Sequence, residues 1–313
     1  MSEHPSPNPM RGIGLKILSV TIFTLMAVCI KYVAPRIPAG EAVFFRSLFA
    51  MPVIVGWLVW TGNLRHGLDT ANPMGHVWRG LVGTSAMIMG FTALGLLPLP
   101  EVTALGYAAP LLTVIFAAMF LGETVRIFRL TAVLVGLIGV VIVLSPRMTV
   151  MSVDAASKLQ TIGAMAALIG AVFAALAQVF VRKLVATEQT AAIVFYFSLT
   201  ATVLSLLTLP FGWVVPTLFE AALLIGAGLL GGVGQILLTE SYRHAETGVI
   251  APFEYVSMIL SLILGYLIFA EIPTLTMLGG AVLVVAAGLF IIWRERALGL
   301  RRGQARRAMT PNG

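Results

Sequence analysis

Apolar runs of membrane-spanning length alternate along the chain with short polar punctuation. A helix that crosses a bilayer needs ~20 mostly apolar residues. Ten segments meet that requirement, at 13–33, 40–60, 78–97, 101–121, 128–146, 159–182, 190–209, 219–240, 247–269 and 274–293. The breaks between them are turn-like and rich in proline, with Pro35 and Pro38, Pro98 and Pro100, Pro146, Pro210 and Pro216, and Pro273. Longer polar stretches occur at 61–77, between spans two and three, and at 147–158, between the halves. No stretch remains for a soluble domain. The pattern predicts an all-α membrane protein of ten transmembrane helices.

The ten spans divide into two similar sets of five. Pairing residue i with i+151 lays Val43, Phe44, Phe45, Arg46, Ser47 and Leu48 on Val194, Phe195, Tyr196, Phe197, Ser198 and Leu199, with four identities in six. The same offset puts Lys31 on Arg182. An offset of 148 then holds without gaps from Arg79 to Val143, matching Gly80 with Gly228, Gly83 with Gly231, Tyr107 with Tyr255 and Glu123 with Glu271. Five is odd, so the second copy enters the membrane from the opposite side. Two inverted five-helix repeats around a central cavity are an architecture of secondary transporters, with the substrate site near the midplane. The expected divisions are a disordered N-terminus at 1–12, repeat one at 13–146, a linker at 147–158, repeat two at 159–293 and a basic tail at 294–313.

Charge sets the expected orientation. With a cytoplasmic N-terminus, fifteen Lys and Arg residues lie on the cytoplasmic side, among them Arg11, Lys16, Arg79, Arg243 and six arginines beyond residue 293. Four lie opposite: Lys31, Arg36, Arg147 and Lys158. The positive-inside rule therefore places both termini in the cytoplasm and the chain in the cell inner membrane. Charged residues are 11% of the chain and mean hydropathy is +0.99, which excludes an ordinary soluble domain. The net charge of +7 sits between spans and in the tail, where it suits an anionic leaflet rather than nucleic acid. Cys29, the single cysteine, has no partner for an intramolecular disulfide. The first apolar run lacks a small-residue cleavage site and reads as a retained span.

The stretch EAVFFRSLFA at 41–50, with Phe120-Leu-Gly-Glu123, Ala251-Pro-Phe-Glu-Tyr255 and Phe269-Ala-Glu271, resembles the drug/metabolite transporter superfamily, specifically its EamA-type members. The resemblance covers about residues 13–293. It implies ten helices in two inverted repeats around a central cavity, and movement of small metabolites. Two positions depart from the pattern. Ala270 stands where a Gly usually precedes the second-half Glu, and Pro110 has Met258 as its repeat partner.

Glu254 is the first candidate for substrate contact. A carboxylate inside a span is expensive and normally faces a polar interior, where it can exchange protons or meet a cationic substrate. Alternatively, with Pro252 as a first-turn proline, it sits in the opening turn and favours the helix dipole. Tyr107 and Tyr255, related by the repeat, suit stacking on an amphipathic substrate, or else pack the helix interface. Gln178 and Gln235 carry more donors and acceptors than lipid can satisfy, so each faces protein or a wet cavity. Glu240 completes the substrate-binding set, with interfacial solvation as its plainer reading. Pro110 breaks a mid-span hydrogen bond and is the candidate gating hinge. Arg46 either recruits an anion, snorkels or pairs structurally. Glu123 and Glu271 read as helix-end groups, and Lys31 and Arg182 as anchors. Small residues such as Gly228 and Gly232 read as helix-packing positions.

These features predict a secondary transporter, not an enzyme, without cofactor or metal. Its expected cargo is a small organic metabolite such as an amino acid, a nucleoside-like compound, a vitamin or a drug, moved by alternating access with proton coupling or exchange. The alternative is a lipid or lipid-precursor translocator. No nucleotide-binding motif is present to supply an ATP drive. The expected assembly is a monomer or weak homodimer in the bilayer.

Overall fold

A computed structural model describes residues 9–121, 127–149, 155–245 and 247–309, and every regular element among them is helical. Eight segments are long and apolar enough to cross a membrane, and the shorter apolar helices Leu130–Pro146 and Thr190–Leu206 complete ten. Spans one to five are α1 (Pro9–Val33), α2 with α3 (Ala39–Leu48, Ala50–Trp60), α4 (Pro73–Leu96), α5 with α6 (Leu99–Gly106, Ala108–Leu121) and α7 (Ile127–Thr149). Spans six to eight are α8 (Ala155–Val185), α9 (Thr190–Leu206) and α10 (Leu218–His244). Span nine joins α11 (Thr247–Ile250), a 3-10 turn (Ala251–Tyr255) and α12 (Val256–Phe269), and span ten is α13 (Leu275–Met309).

Several boundaries differ from the sequence expectation. Helix α1 starts at Pro9, within the stretch expected to lack structure. Helix α4 starts at Pro73 rather than 78, because Asn72 Oδ1 accepts a hydrogen bond from Gly75 N at 2.9 Å and Pro73 occupies the first turn. Helices α7 and α8 take up much of the expected linker. Helix α13 continues to Met309 through the basic tail, whose Arg, Ala and Gln are good helix formers.

Three spans are broken, and each break carries a proline. Pro52 cannot donate to Leu48, the last residue of α2, and Pro110 cannot donate to Gly106, the last residue of α5. Pro252 lies in the 3-10 turn of span nine. The breaks in spans four and nine fall at the repeat partners Tyr107 and Tyr255, although the prolines lie on opposite sides of them.

Helix packing obeys the repeat. Helix α1 packs along α10 and α4 along α8, which are the same pair under the internal symmetry. The pairs α7–α13, α2–α9 and α5–α12 each map onto themselves. Close approach relies on glycine. A Cβ on Gly80 would lie 2.5 Å from Thr200, and one on Gly228 would lie 2.5 Å from Phe49, the repeat partner of Thr200. Helices α7 and α13 cross where Gly139 and Gly280 face each other's carbonyls. Large apolar side chains such as Val141, Val203, Leu267 and Val282 remain exposed, as a lipid-facing surface requires.

Polar ties close both ends of the bundle. At one end Lys31 Nζ pairs with Glu271 at 2.9 Å and donates to Leu97 O at 2.6 Å, while Arg36 pairs with Glu220. At the other, Asn63 Nδ2 donates to Gln189 Oε1 at 2.6 Å, and Glu188 accepts from Ala71 N and Asn72 N at 3.0 and 2.9 Å. Burial pushes the Glu188 carboxyl up, but His76 and these two amides outweigh it and hold it below the ordinary carboxylate range.

Candidate functional site

One cavity lies between helices of both repeats. It measures about 200 Å³ and is bounded by α4, α8, α9 and α10, and its lining includes Arg79, Gln178, Phe197, Gln235 and Tyr242. The structure thus brings Gln178 and Gln235 together at one site from separate spans. Two hydroxyls of these helices are satisfied by their own backbone: Thr84 donates to Gly80 O at 2.7 Å and Thr239, in the cavity lining, to Gln235 O at 2.8 Å.

Glu254 lies apart from that cavity, in the 3-10 turn opening span nine. Its carboxylate forms an ion pair with Lys16 of α1, whose side chain is 4% exposed against 36% for Glu254. Lys16 Nζ also lies 5.8 Å from the Tyr242 ring centroid. On its other side Glu254 borders a cavity of about 170 Å³ with Phe23, Thr24, Thr103 and Ser257. Lys16 is therefore no cytoplasmic loop cation. It is a buried group that holds α1 to the start of span nine.

Tyr107 and Tyr255 meet edge to face, with ring centroids 4.9 Å apart at 75°. The Tyr107 hydroxyl bonds Ser257 Oγ at 2.7 Å, and Ser257 Oγ donates to Glu254 O at 2.6 Å. Tyr107 is 4% exposed and Tyr255 packs against Gly288. The two repeat partners thus touch each other where spans four and nine break. Glu240 accepts from Thr190 Oγ1 at 2.6 Å, and Arg243 Nε donates to the same hydroxyl at 2.5 Å. These contacts place Glu240 in the polar closure of one end of the bundle. Pro110 sits in the first turn of α6, immediately after the break. Glu123 lies outside the described residues, while Glu271 pairs with Lys31 and accepts from Leu99 N at 2.8 Å.

Arg46 does not snorkel, and among the described residues it pairs with no acid. It is 1% exposed, donates to Gly231 O at 3.3 Å, and places its guanidinium carbon 5.6 Å from the Phe197 ring centroid. Arg79 was expected at a membrane surface. It is 6% exposed and lies 4.0 Å from the centroid of the same ring. Nε and Nη1 of both arginines lack a hydrogen-bond partner. The signal that reveals Arg79 is Asn72-Pro73, a capping residue followed by a first-turn proline. It starts α4 five residues earlier and leaves Arg79 six residues, or ~9 Å at 1.5 Å per residue, inside the helix.

Among known proteins, the S-adenosylmethionine uptake transporter of Rickettsia bellii (strain RML369-C) is 30% identical over 285 residues, covering 91% of this chain and 94% of that protein. The pseudopaline exporter CntI of Pseudomonas aeruginosa (strain PAO1) is 33% identical over 282 residues, covering 88% and 94%. A solved crystal structure at 21% identity superposes with a TM-score of 0.66, covering 92% of this chain and 98% of its own, so the fold is shared. The model of the EamA-like transporter family matches residues 10–145 and 161–293, one match to each repeat. Fold, internal repeat and these matches agree, and the chain belongs to the EamA-like transporter family.

Proposed function

We propose that this multi-pass transporter moves a small organic metabolite across the inner membrane by alternating access, with both termini cytoplasmic. The observation that carries the reading is the cavity between the repeats, where Gln178 and Gln235 meet Arg79 and Tyr242. Its volume is below the ~300–1,000 Å³ of small-molecule sites, so it accepts one polar group with its flanking atoms. Admitting a whole metabolite requires the helices to move apart. The broken spans two, four and nine are the elements suited to that movement, and Pro110 keeps span four broken at Tyr107.

Glu254 serves substrate or proton binding through the Lys16 ion pair. A cationic substrate group, or a proton, that takes the carboxylate releases Lys16 and frees α1 from the start of span nine. Binding is then coupled to helix separation by the contacts it replaces. Gln178 and Gln235 orient the polar group, Tyr107 and Tyr255 hold the seam between spans four and nine, and Glu240 closes one end of the bundle.

The relatives act on solutes of this kind, since one is an S-adenosylmethionine uptake transporter and another a pseudopaline exporter. The test is uptake into proteoliposomes of labelled S-adenosylmethionine, amino acids, nucleosides and riboflavin, with and without an imposed pH gradient. One class should accumulate, and Glu254→Gln should lose the gradient dependence. If no solute enters while a fluorescent phospholipid crosses the bilayer, the cargo is lipid and the metabolite reading is wrong.

A further inference from the structure

Two buried guanidiniums at the seam of the repeats lack a compensating charge among the described residues. Arg46 and Arg79 are 1% and 6% exposed and approach one ring, Phe197. Nε and Nη1 of each lack an acceptor, and neither makes an ion pair among the described residues. An unpaired cation in a membrane interior is costly, and an aromatic face offsets only part of that cost.

Packing does not require these charges. Arg46 and Phe197 are repeat partners, each seven residues into its helix, and α2 and α9 enter from opposite ends. Gly231 packs on Arg46, and its repeat partner Gly83 packs on the Arg79 guanidinium and the Phe197 ring. At the repeat-related positions of α2 and α9, the same crossing is thus occupied once by an arginine and once by a phenylalanine. The repeat partner of Arg79 is Ala227. Both cations are confined to the first half, beside the axis where a shared site would lie.

Arg79 and Phe197 line the seam cavity with Gln178 and Gln235, so a group entering it meets an unsatisfied guanidinium and two amides. We infer that Arg79, backed by the charge of Arg46, is an anion-recognition residue that takes the carboxylate of the transported metabolite. A planar carboxylate matches the guanidinium fork in shape. Arg46 is not among the cavity-lining residues, so an entering group touches one guanidinium, which matches a singly charged carboxylate better than a phosphate monoester. This inference rests on the transport reading above and narrows its substrate class to carboxylate-bearing solutes.

The test uses the full chain purified in detergent, with sodium benzoate and neutral benzamide as probes of the same shape. Ionic strength is matched with sodium chloride, and inorganic phosphate forms a third arm. Benzoate should raise the melting temperature saturably, while benzamide and phosphate should not. Arg79→Gln should weaken benzoate about tenfold or more, as expected for losing a charge-assisted hydrogen bond. Arg79→Lys, which keeps the charge but not the fork, should fall between. Equal shifts by benzoate and benzamide, saturation by phosphate alone, or a benzoate effect unchanged in both variants would each overturn the assignment. If Arg79→Gln does not fold, the contrast between probes on the native chain and the lysine variant decide. Uptake is a separate readout. Absence of flux for every solute would sink the transport reading and leave the benzoate contrast standing, whereas flux without that contrast would sink only the carboxylate assignment.

Discussion

Lys16, Lys31, Arg46 and Arg79 all lie within helices of this bundle, and their partners set their roles. Lys31 meets a carboxylate and a carbonyl at one end, so it fastens α1 to the loop after α12. Lys16 meets Glu254, and separating that pair leaves a charge in a poorly solvated place. Breaking a fully buried pair costs ~3–5 kcal/mol, and the exposure of Glu254 lowers the expectation to ~2 kcal/mol for Glu254→Gln. Thermal unfolding in detergent should show Lys16→Met and Glu254→Gln each destabilising, with the double variant less destabilised than their sum. Strict additivity would mean that the pair contributes no coupling. Gln178 and Gln235 were legible in the sequence as groups that face protein or a wet cavity, because lipid cannot satisfy an amide; that they line one cavity was not. Lys16 and Arg79 were not, because their depth depends on where each helix begins. Arg46 was legible as a charge within a span, but its lack of an acidic partner among the described residues depends on side chains from other helices.

Among the elements, span nine shows how a local exception is carried by its surroundings. Ala270 caps α12 at φ 53°, in the left-handed region. Ala270 N donates to Tyr266 O at 3.1 Å and Glu271 N to Gly265 O at 3.0 Å, which turns the chain so that Glu271 reaches Lys31. An alanine in that conformation is strained by ~1 kcal/mol relative to glycine, the residue that the family resemblance implies here. Ala270→Gly should therefore raise stability by ~1 kcal/mol in thermal or denaturant unfolding, with uptake unchanged. A lower melting temperature would show that the alanine methyl contributes more than its strain costs. The breaks themselves were only partly legible. Pro110 marked span four, but its partner Met258 gave no sign that span nine breaks at the equivalent tyrosine. That break follows from Pro252, which is consistent with an opening turn until the 3-10 geometry is seen.

At the scale of the whole molecule, opposed repeats make opposite ends of the bundle equivalent by symmetry and unlike in charge. In a Cys29→Ala background, a cysteine at position 66 should be shielded from a membrane-impermeant maleimide on intact cells, and cysteines at 215 and 272 should react. Native Val215 and Ile272 are both well exposed, and His66 is exposed at the other end. Labelling at 66 alone would reverse the orientation. The sequence by itself determined the class of molecule, the number of spans, the repeat and the family. Each of these follows from composition and order along one chain: a bilayer demands apolar helices of fixed length, and a duplicated unit keeps its residue offsets. Only the tertiary structure decided which polar groups share a cavity, that Lys16 holds Glu254, and that Arg46 and Arg79 flank one phenylalanine without a counter-charge among the described residues. Those facts arise where helices distant in sequence cross, and their crossing is fixed by glycine contacts and side-chain fit that no single segment encodes.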